Sequence, residues 1–516
     1  LWAGAWLSVA AAYAGPATFD IRAYGAKGDG AAKDTIAIQK AIDAAAAQGG
    51  GIVMAPAGRY LSGTIHLKSN ITLYLSPGAV ILASPDNGDF DPYETLPFQS
   101  VSDKETTYFH YALVAAEGVH DIAIEGKGAI DGNRTRRGGP KTVAIKLCQR
   151  VTLRGITVRN SPNYSISFWG TDYIDIEGVS VLNGYADGID PDSCRFVRIV
   201  NCYVDSWDDA ICPKASPSMG MEQRRAVENL TVTNCVLRTN CSNFKFGTES
   251  SGDFKNATVS NCVMLPRDTG RPPISGVSLE SVDGSHIDGV SVSNLTMTGV
   301  RVPVFIRLGN RARGLDPKIP GSVDNVSIAN LNVRGYTVPA SVTGLPDHRV
   351  RGVTIQGLHL AAEGGVTQAG GLDVPELEEK YPEGTMWGTL PTWVLYARHV
   401  AGLRVRDVDA HWTQRDVRPA MIFDDVEDLS LDGLDVGTAD GGAPVLWLNN
   451  VAGALIRGAR PPAAELFLRV SGAASRNLVL LGNDLTRVKR GHEVVDGAPA
   501  NVLTGAGNAR PAQQRE

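Results

Sequence analysis

The sequence predicts an all-β protein: a single-stranded, right-handed parallel β-helix, a solenoid with a short N-terminal capping helix. Three observations predict it. An eight-residue pattern recurs through most of the chain. The pattern changes parity at a position held by Asn, Gly or Asp. Glycine reaches 57 of 516 residues while aromatics stay at 7%, which suits many short strands and tight turns.

The pattern is apolar, any, apolar, any, Asn/Gly/Asp, apolar, any, apolar. It runs Val151-Thr-Leu-Arg-Gly-Ile-Thr-Val158, then Ile174-Asp-Ile-Glu-Gly-Val-Ser-Val181, then Val197-Arg-Ile-Val-Asn-Cys-Tyr-Val204. It continues as Leu230-Thr-Val-Thr-Asn-Cys-Val-Leu237 and Ala257-Thr-Val-Ser-Asn-Cys-Val-Met264, with further copies from Val290, Val326, Val353, Leu403 and Leu429. Alternation marks a strand with one buried face. A one-residue slip keeps both halves facing inward only if the chain bends there, and Asn and Gly enter the left-handed region cheaply. The tightest copies start 23 residues apart, which is one coil; the longest interval, 50 residues, carries inserted loops. Asn201, Asn234, Asn261, Asn294 and Asn330 then stack as a ladder at the strand spacing of about 4.8 Å. A leucine-rich horseshoe would need a helix or a fixed LxxLxL pattern in every repeat, and a propeller regular hairpins in blades of about 40–50 residues; neither is present.

The ends follow. Asp34-Thr35 opens a helical pattern with Ile38, Ala41, Ile42 and Ala45 inward, closed by Gly49-Gly50-Gly51, and one short helix there plugs the open solenoid. Residues 1–14 read as the remnant of a secretory signal peptide, ending small-x-small at Ala12-Tyr13-Ala14; a buried first strand is the alternative. Residues 15–500 form one β-helix domain, although length alone would suggest two to four. The repeat decays after about residue 437, and residues 501–516 are expected to be a frayed tail. No other segment is long enough to span a bilayer. The net charge of −6 argues against a nucleic-acid partner. The chain is expected to be secreted or periplasmic and to act as a monomer. Seven cysteines show no CxxC or Cys/His zinc spacing, and three sit in the identical Asn-Cys pairs of the repeat, which suggest stacked core residues rather than a disulfide framework. No metal or cofactor is expected.

Between copies of the pattern lies a third strand of each coil. Aligned by their inward residues, these strands read Asp187-Gly-Ile-Asp190, Asp209-Ala-Ile-Cys212, Phe244-Lys-Phe-Gly247, Val277-Ser-Leu-Glu280 and Val304-Phe-Ile-Arg307. The outward slots hold Asp190, Lys245, Glu280 and Arg307, with Lys214 and Glu249 one step along. Asp187 and Asp209 are 22 residues apart, about one coil, with Asp208 adjacent. Three clustered carboxylates repel, so at least one holds its proton to higher pH. An acid with a raised pKa beside an ionised one is the pairing that glycoside hydrolysis uses. Turn capping or calcium binding would also use aspartates in such turns.

The stretch Asn183-Gly-Tyr-Ala-Asp187-Gly-Ile-Asp-Pro-Asp-Ser-Cys194 and the block Asp208-Asp209-Ala-Ile-Cys-Pro-Lys214 resemble the polygalacturonase family of glycoside hydrolases. So do Phe19-Asp-Ile-Arg-Ala-Tyr-Gly-Ala-Lys-Gly-Asp-Gly30 and Ile124-Glu-Gly-Lys-Gly-Ala-Ile-Asp-Gly132. The resemblance spans about residues 18–310. It implies an inverting hydrolase of pectin-like polysaccharide or oligosaccharide, with Asp208 as general acid and Asp187 and Asp209 holding the nucleophilic water. The departures are specific. The family's Gly-His-Gly falls near Cys241-Ser242-Asn243, and its Arg-Ile-Lys at Ser278-Leu279-Glu280. The histidine and both cations that grip a galacturonate carboxylate are therefore missing, and Glu280 would repel that carboxylate. Lys245 compensates or merely pairs with Glu280 or Glu249. A neutral sugar such as rhamnose fits these charges at least as well.

Lys214, Lys245, Glu249, Glu280 and Arg307 are thus candidate substrate-binding residues, joined by two aromatics from insertions. The insertions are Asp91-Pro-Tyr-Glu-Thr-Leu-Pro-Phe98 onward to Tyr108-Phe-His-Tyr111, and Tyr381-Pro-Glu-Gly-Thr-Met-Trp-Gly-Thr-Leu-Pro-Thr-Trp393. Tyr381 and Trp387 are either sugar platforms or packing against the coil. A groove blocked at one end favours removal of terminal sugars. His399 and His411 read as ordinary structural or surface histidines. A β-helix polysaccharide lyase and a non-catalytic carbohydrate-binding β-helix are the other readings.

Overall fold

The computed structural model describes residues 16–437 and 443–510. The stretch read as a signal remnant lies outside the described residues. The rest winds as a right-handed parallel β-helix. Every named strand pairing is parallel, and each pairs residues about one coil apart.

The repeat sets the register. Val151, Ile174, Val197, Leu230, Ala257, Val290, Val326 and Val353 stack as one column. The Leu403 and Leu429 copies continue in step, since Thr354 pairs with Arg404 and Arg404 with Ser430. The bend is where parity predicts it. Asn201, Asn234, Asn261, Asn294 and Asn330 all have φ between 55° and 57°. Asn294 Nδ2 donates to Asn261 Oδ1 at 3.1 Å and Asn330 Nδ2 to Asn294 Oδ1 at 3.0 Å. In the later coils the bend is mild enough for one continuous strand, as in His286–Thr298, Ser322–Tyr336 and Val350–Gly364. Apolar columns fill the interior. Cys202, Cys235 and Cys262 stack within it, and all seven cysteines are free.

The helix Thr35–Ala47 buries Ile38, Ala41, Ile42 and Ala45 completely and closes the N-terminal end. Asp34 does not cap it through its side chain; its carboxylate instead accepts from Lys27 N and Gly28 N at 2.7 and 3.0 Å.

Two expectations change. Past residue 437 the repeat fades while the coils continue, and the expected tail is paired. Pro444–Asn449, Ala452–Arg457, Ala464–Ser471 and Arg476–Leu481 continue the stack. Within the expected tail, Leu503–Ala506 pairs with Arg476–Leu481, and Ala509 bridges Asp484. Alanine and glycine in slots such as Ala452, Gly453 and Ala454 weaken the apolar contrast there without changing the backbone period.

The third strand also shifts register. Ile189 pairs with Ile211, and Ile211 with Phe244 rather than Phe246. A slip of two residues preserves which side chains face inward, so alternation cannot detect it. The consequence is a column Asp190, Cys212, Lys245, Ser278 and, one column over, Gly247, Glu280, Arg307.

The ladder is testable. Asn294→Val should cost about 1–2 kcal/mol by forcing a β-branched residue to positive φ, read as a lowered denaturation midpoint. Asn294→Gly should cost less, because it loses only the two amide bonds.

Candidate active site

Asp187 and Asp209 lie one coil apart, as their spacing predicts: Gly188 N donates to Asp209 O at 2.9 Å and Ser165 N to Asp187 O at 2.9 Å. Gly188 permits this approach, since a Cβ there would meet Val204 Cγ1 at 2.4 Å and Ala210 O at 2.5 Å. Ser206 Oγ fixes the next turn by donating to the carbonyls of Asp208 and Asp209 at 2.8 and 3.1 Å. Asp208 Oδ1 accepts from Asp209 N at 3.0 Å. The three catalytic candidates therefore meet. One oxygen each of Asp208 and Asp209 and the Cys241 sulfur lie within 4.8 Å of one another; Asp187, Asp190 and Cys212 form a second such group.

Their environments differ. The Asp187 and Asp209 side chains are 5% exposed, whereas Asp208 is 28% exposed. Lys214 Nζ lies 2.7 Å from Asp187 Oδ2 and 3.3 Å from Asp190 Oδ1. One ammonium serves two buried carboxylates, so the pair retains a proton and titrates as a unit. Burial pushes Asp187 well above the usual carboxylate range and Asp190 to about 7. Burial also opposes ionisation of Asp209, but Lys245 and Lys214 outweigh it and hold Asp209 at about 2. Lys245 Nζ is 3.3 Å from Asp209 Oδ2, and Ser242 N donates to Oδ1 at 2.8 Å.

The substrate-binding candidates divide. Lys214, Lys245, Glu249, Glu280 and Arg307 do point off the coil, but all are buried rather than free in a groove. Glu249 accepts from Arg313 Nη2 at 3.0 Å, so it is not the partner of Lys245. Arg307 Nη2 donates to Glu376 O at 2.6 Å and its guanidinium lies 5.4 Å from the Trp387 ring. Trp387 packs edge-on to Phe305 and donates to Pro375 O at 3.0 Å. Arg307 and Trp387 thus fasten the second insertion to the wall. Tyr381 stays at the site, 54% exposed, its ring 5.6 Å from Lys245 Nζ and 5.7 Å from Arg311 Cζ. Glu280 also needs correction. Burial raises it to about 8 despite Lys245, so at neutral pH it is mostly an uncharged acid and does not repel a carboxylate.

Sequence reasoning missed the rim. Arg137, from the segment after Ala129–Asp131, reaches Asp208 Oδ2 with Nη1 at 2.5 Å, and its Nε lies 3.1 and 3.0 Å from the two Glu105 oxygens. Glu105 sits in Lys104–Thr107, within the first insertion. Tyr185 and Trp207 stack at 6.1 Å beside the acids, Trp207 being 43% exposed, with Arg267 Cζ 4.6 Å from the Trp207 ring. Their adjacency to Asp187 and Asp208 in sequence was a usable signal; nothing in the sequence places Arg137.

Residues 18–90 match the family model described as rhamnogalacturonase A/epimerase, pectate lyase-like. A probable polygalacturonase of Vitis vinifera is 25% identical over 370 residues, 66% of this chain and 74% of that one. An exo-poly-alpha-D-galacturonosidase of Dickeya chrysanthemi is 26% identical over 320 residues, 49% of this chain and 51% of that one. Over these stretches the chain is similar to polygalacturonases. Among solved structures, a Thermotoga maritima exopolygalacturonase shares the fold, with a TM-score of 0.58 and 22% identity over 67% of this chain and 87% of that one. Against the pattern of those relatives the chain diverges at the floor of the site. Where the resemblance calls for Gly-His-Gly, Cys241 and Ser242 face Asp209, with the Ser242 amide bonded to it.

Glu280 yields a pH test. Its folded-state pKa lies above the ordinary 4.5, so the stability tied to its proton is complete below about pH 4.5 and lost as pH rises through about 8. Melting temperatures of the wild type and Glu280→Gln should diverge in favour of the variant between pH 5 and pH 9. A constant difference would mean that Glu280 is ionised throughout.

Proposed function

We propose that this chain hydrolyses glycosidic bonds in pectin-like polysaccharide with inversion at the anomeric carbon. Three carboxylates from neighbouring coils, split between a protonated and an ionised environment, carry the reading. Asp208 is the acid of the trio most open to solvent, so it is the one a leaving oxygen can reach, and it acts as general acid. Asp209, held ionised by Lys245 and Lys214, takes a proton from the attacking water, and Asp187 helps position that water. A covalent nucleophile must touch the sugar carbon, and Asp209 is too buried for that contact, whereas a water can reach it.

One observation pulls the other way. Oxygens of Asp208 and Asp209 come within 4.8 Å, closer than the roughly 6.5–9.5 Å between carboxyl groups usual for inversion. Burial favours inversion, because closeness without access does not allow attack. A lyase needs a free basic side chain at the site, but Lys214 and Lys245 are both buried and tied to carboxylates, and Arg137 is paired with Asp208 and Glu105. A polymer is met outside the cell, so a secreted or periplasmic location is part of the proposal. No helix among the described residues is long and apolar enough to cross a membrane.

Asp208→Asn should lower turnover of polygalacturonate by about 10²–10⁴ with a melting temperature close to the wild type. Unchanged turnover would remove Asp208 from the mechanism. Proton NMR of the first product should show the anomeric configuration opposite to that of the cleaved bond. Retained configuration would make Asp209 or Asp187 a nucleophile, and near-ultraviolet absorption by an unsaturated uronate would make the protein a lyase.

A further inference from the structure

The fit of the acid to its substrate poses a problem that Arg137 resolves. A general acid must bring a carboxyl oxygen to hydrogen-bond distance of the leaving oxygen, about 2.6–3.2 Å. Both oxygens of Asp208 are engaged: Oδ1 by the amide of Asp209 at 3.0 Å, Oδ2 by Arg137 Nη1 at 2.5 Å. The amide belongs to the coil and is fixed by the ladder. Arg137 is the partner that can leave, being a long side chain, 46% exposed, on a segment outside the coils. Glu105 grips the guanidinium along its Nε/Nη2 edge, which leaves the Nη1/Nη2 edge to face another carboxylate when the side chain turns off Asp208.

The released end needs an anion. The surroundings supply acids but no spare site for it: Asp187 and Asp190 share Lys214, and Asp209 pairs with Lys245. Nor is there a competing cation. Arg311 and Arg313 are held by Asp283 and Glu249, and Arg267 by Asp205. Arg137, 46% exposed, is the cation that touches Asp208 and is open to solvent. A guanidinium fork matches a carboxylate in a bidentate geometry that a lysine cannot reproduce.

We propose that Arg137 recognises the carboxylate of a hexuronate at the cleavage site, moving from Asp208 onto the substrate and so freeing the Asp208 oxygen for the leaving group. This rests on the hydrolase reading above and selects an acidic sugar over a neutral one. The grip lost with the family's two missing cations is supplied from an insertion instead of from the coil wall.

The experiment compares kcat/KM for a galacturonate oligomer with that for the same oligomer after reduction of its carboxyl groups, in the wild type, Arg137→Gln, Arg137→Lys and Glu105→Gln. Loss of a charge-assisted bond predicts that the acid-to-neutral preference falls about tenfold or more in Arg137→Gln, chiefly through KM. Arg137→Lys should recover part of it. Glu105→Gln, which keeps the guanidinium, should fall by less. An unchanged preference, whether from equal losses on both oligomers or from none, would reduce Arg137 to a structural strut and overturn the proposal. A wild type that cleaves neither oligomer would sink the hydrolase reading itself, a result distinct from any variant effect.

Discussion

The left-handed bend in each coil is the constraint on which the rest depends. A parallel ladder fixes every residue against one about a coil away, but it holds two inward faces together only where parity slips at a bend. The Asn ladder at φ near 55° meets that requirement at low steric cost and links its side chains from coil to coil. With the bend in place, residues 22 apart become neighbours, and an acid at 187 meets one at 209. The site is therefore a by-product of register, built without any local motif that could fold alone.

Register also stacks charges. The floor below Asp208 carries Asp187, Asp190, Asp209 and Glu280 against three ammonium groups, Lys214, Lys245 and, beside Asp190, Lys141. Desolvation penalises every charge there, so a protein with more acids than bases in one buried layer must leave some acids protonated. Geometry decides which. Asp209 is nearest Lys245 and takes a backbone amide, so it stays ionised; Asp187 and Asp190 divide a single lysine, and Glu280 has an oxygen with no partner. An acid and a base thus coexist a few ångströms apart with no metal needed to separate their protonation states.

The coil and its columns were legible because they depend on periodicity alone. Ten copies of the pattern fall in one register, and the three aspartates converge as their spacing requires. What periodicity cannot resolve is a slip by two, which is why Lys245 was misplaced relative to Ile211 until the pairing of Ile211 with Phe244 was seen. It is equally blind to burial by inserted loops. Arg307 and Trp387 have the residue types of a sugar site, yet they anchor the segment that covers them. The repeat fades after about residue 437 for a third reason: small residues in the inward slots weaken the signal while leaving the hydrogen-bonding period intact.

These limits converge on where specificity can arise. A solenoid wall offers side chains at fixed intervals, and here its charged positions are spent neutralising each other. Lys214 and Lys245 cannot serve a substrate without stranding a buried carboxylate, a cost of several kcal/mol for an unpaired buried charge. Any charge offered to a sugar must therefore come from chain that the ladder does not fix. The segment bearing Arg137 and the insertion bearing Glu105 meet that condition: Arg137 reaches the most exposed of the three acids, and Glu105 holds Arg137. The division of labour is physical: the coils set the positions and proton states of the reacting groups, and the insertions, free of register, decide which sugar is presented to them.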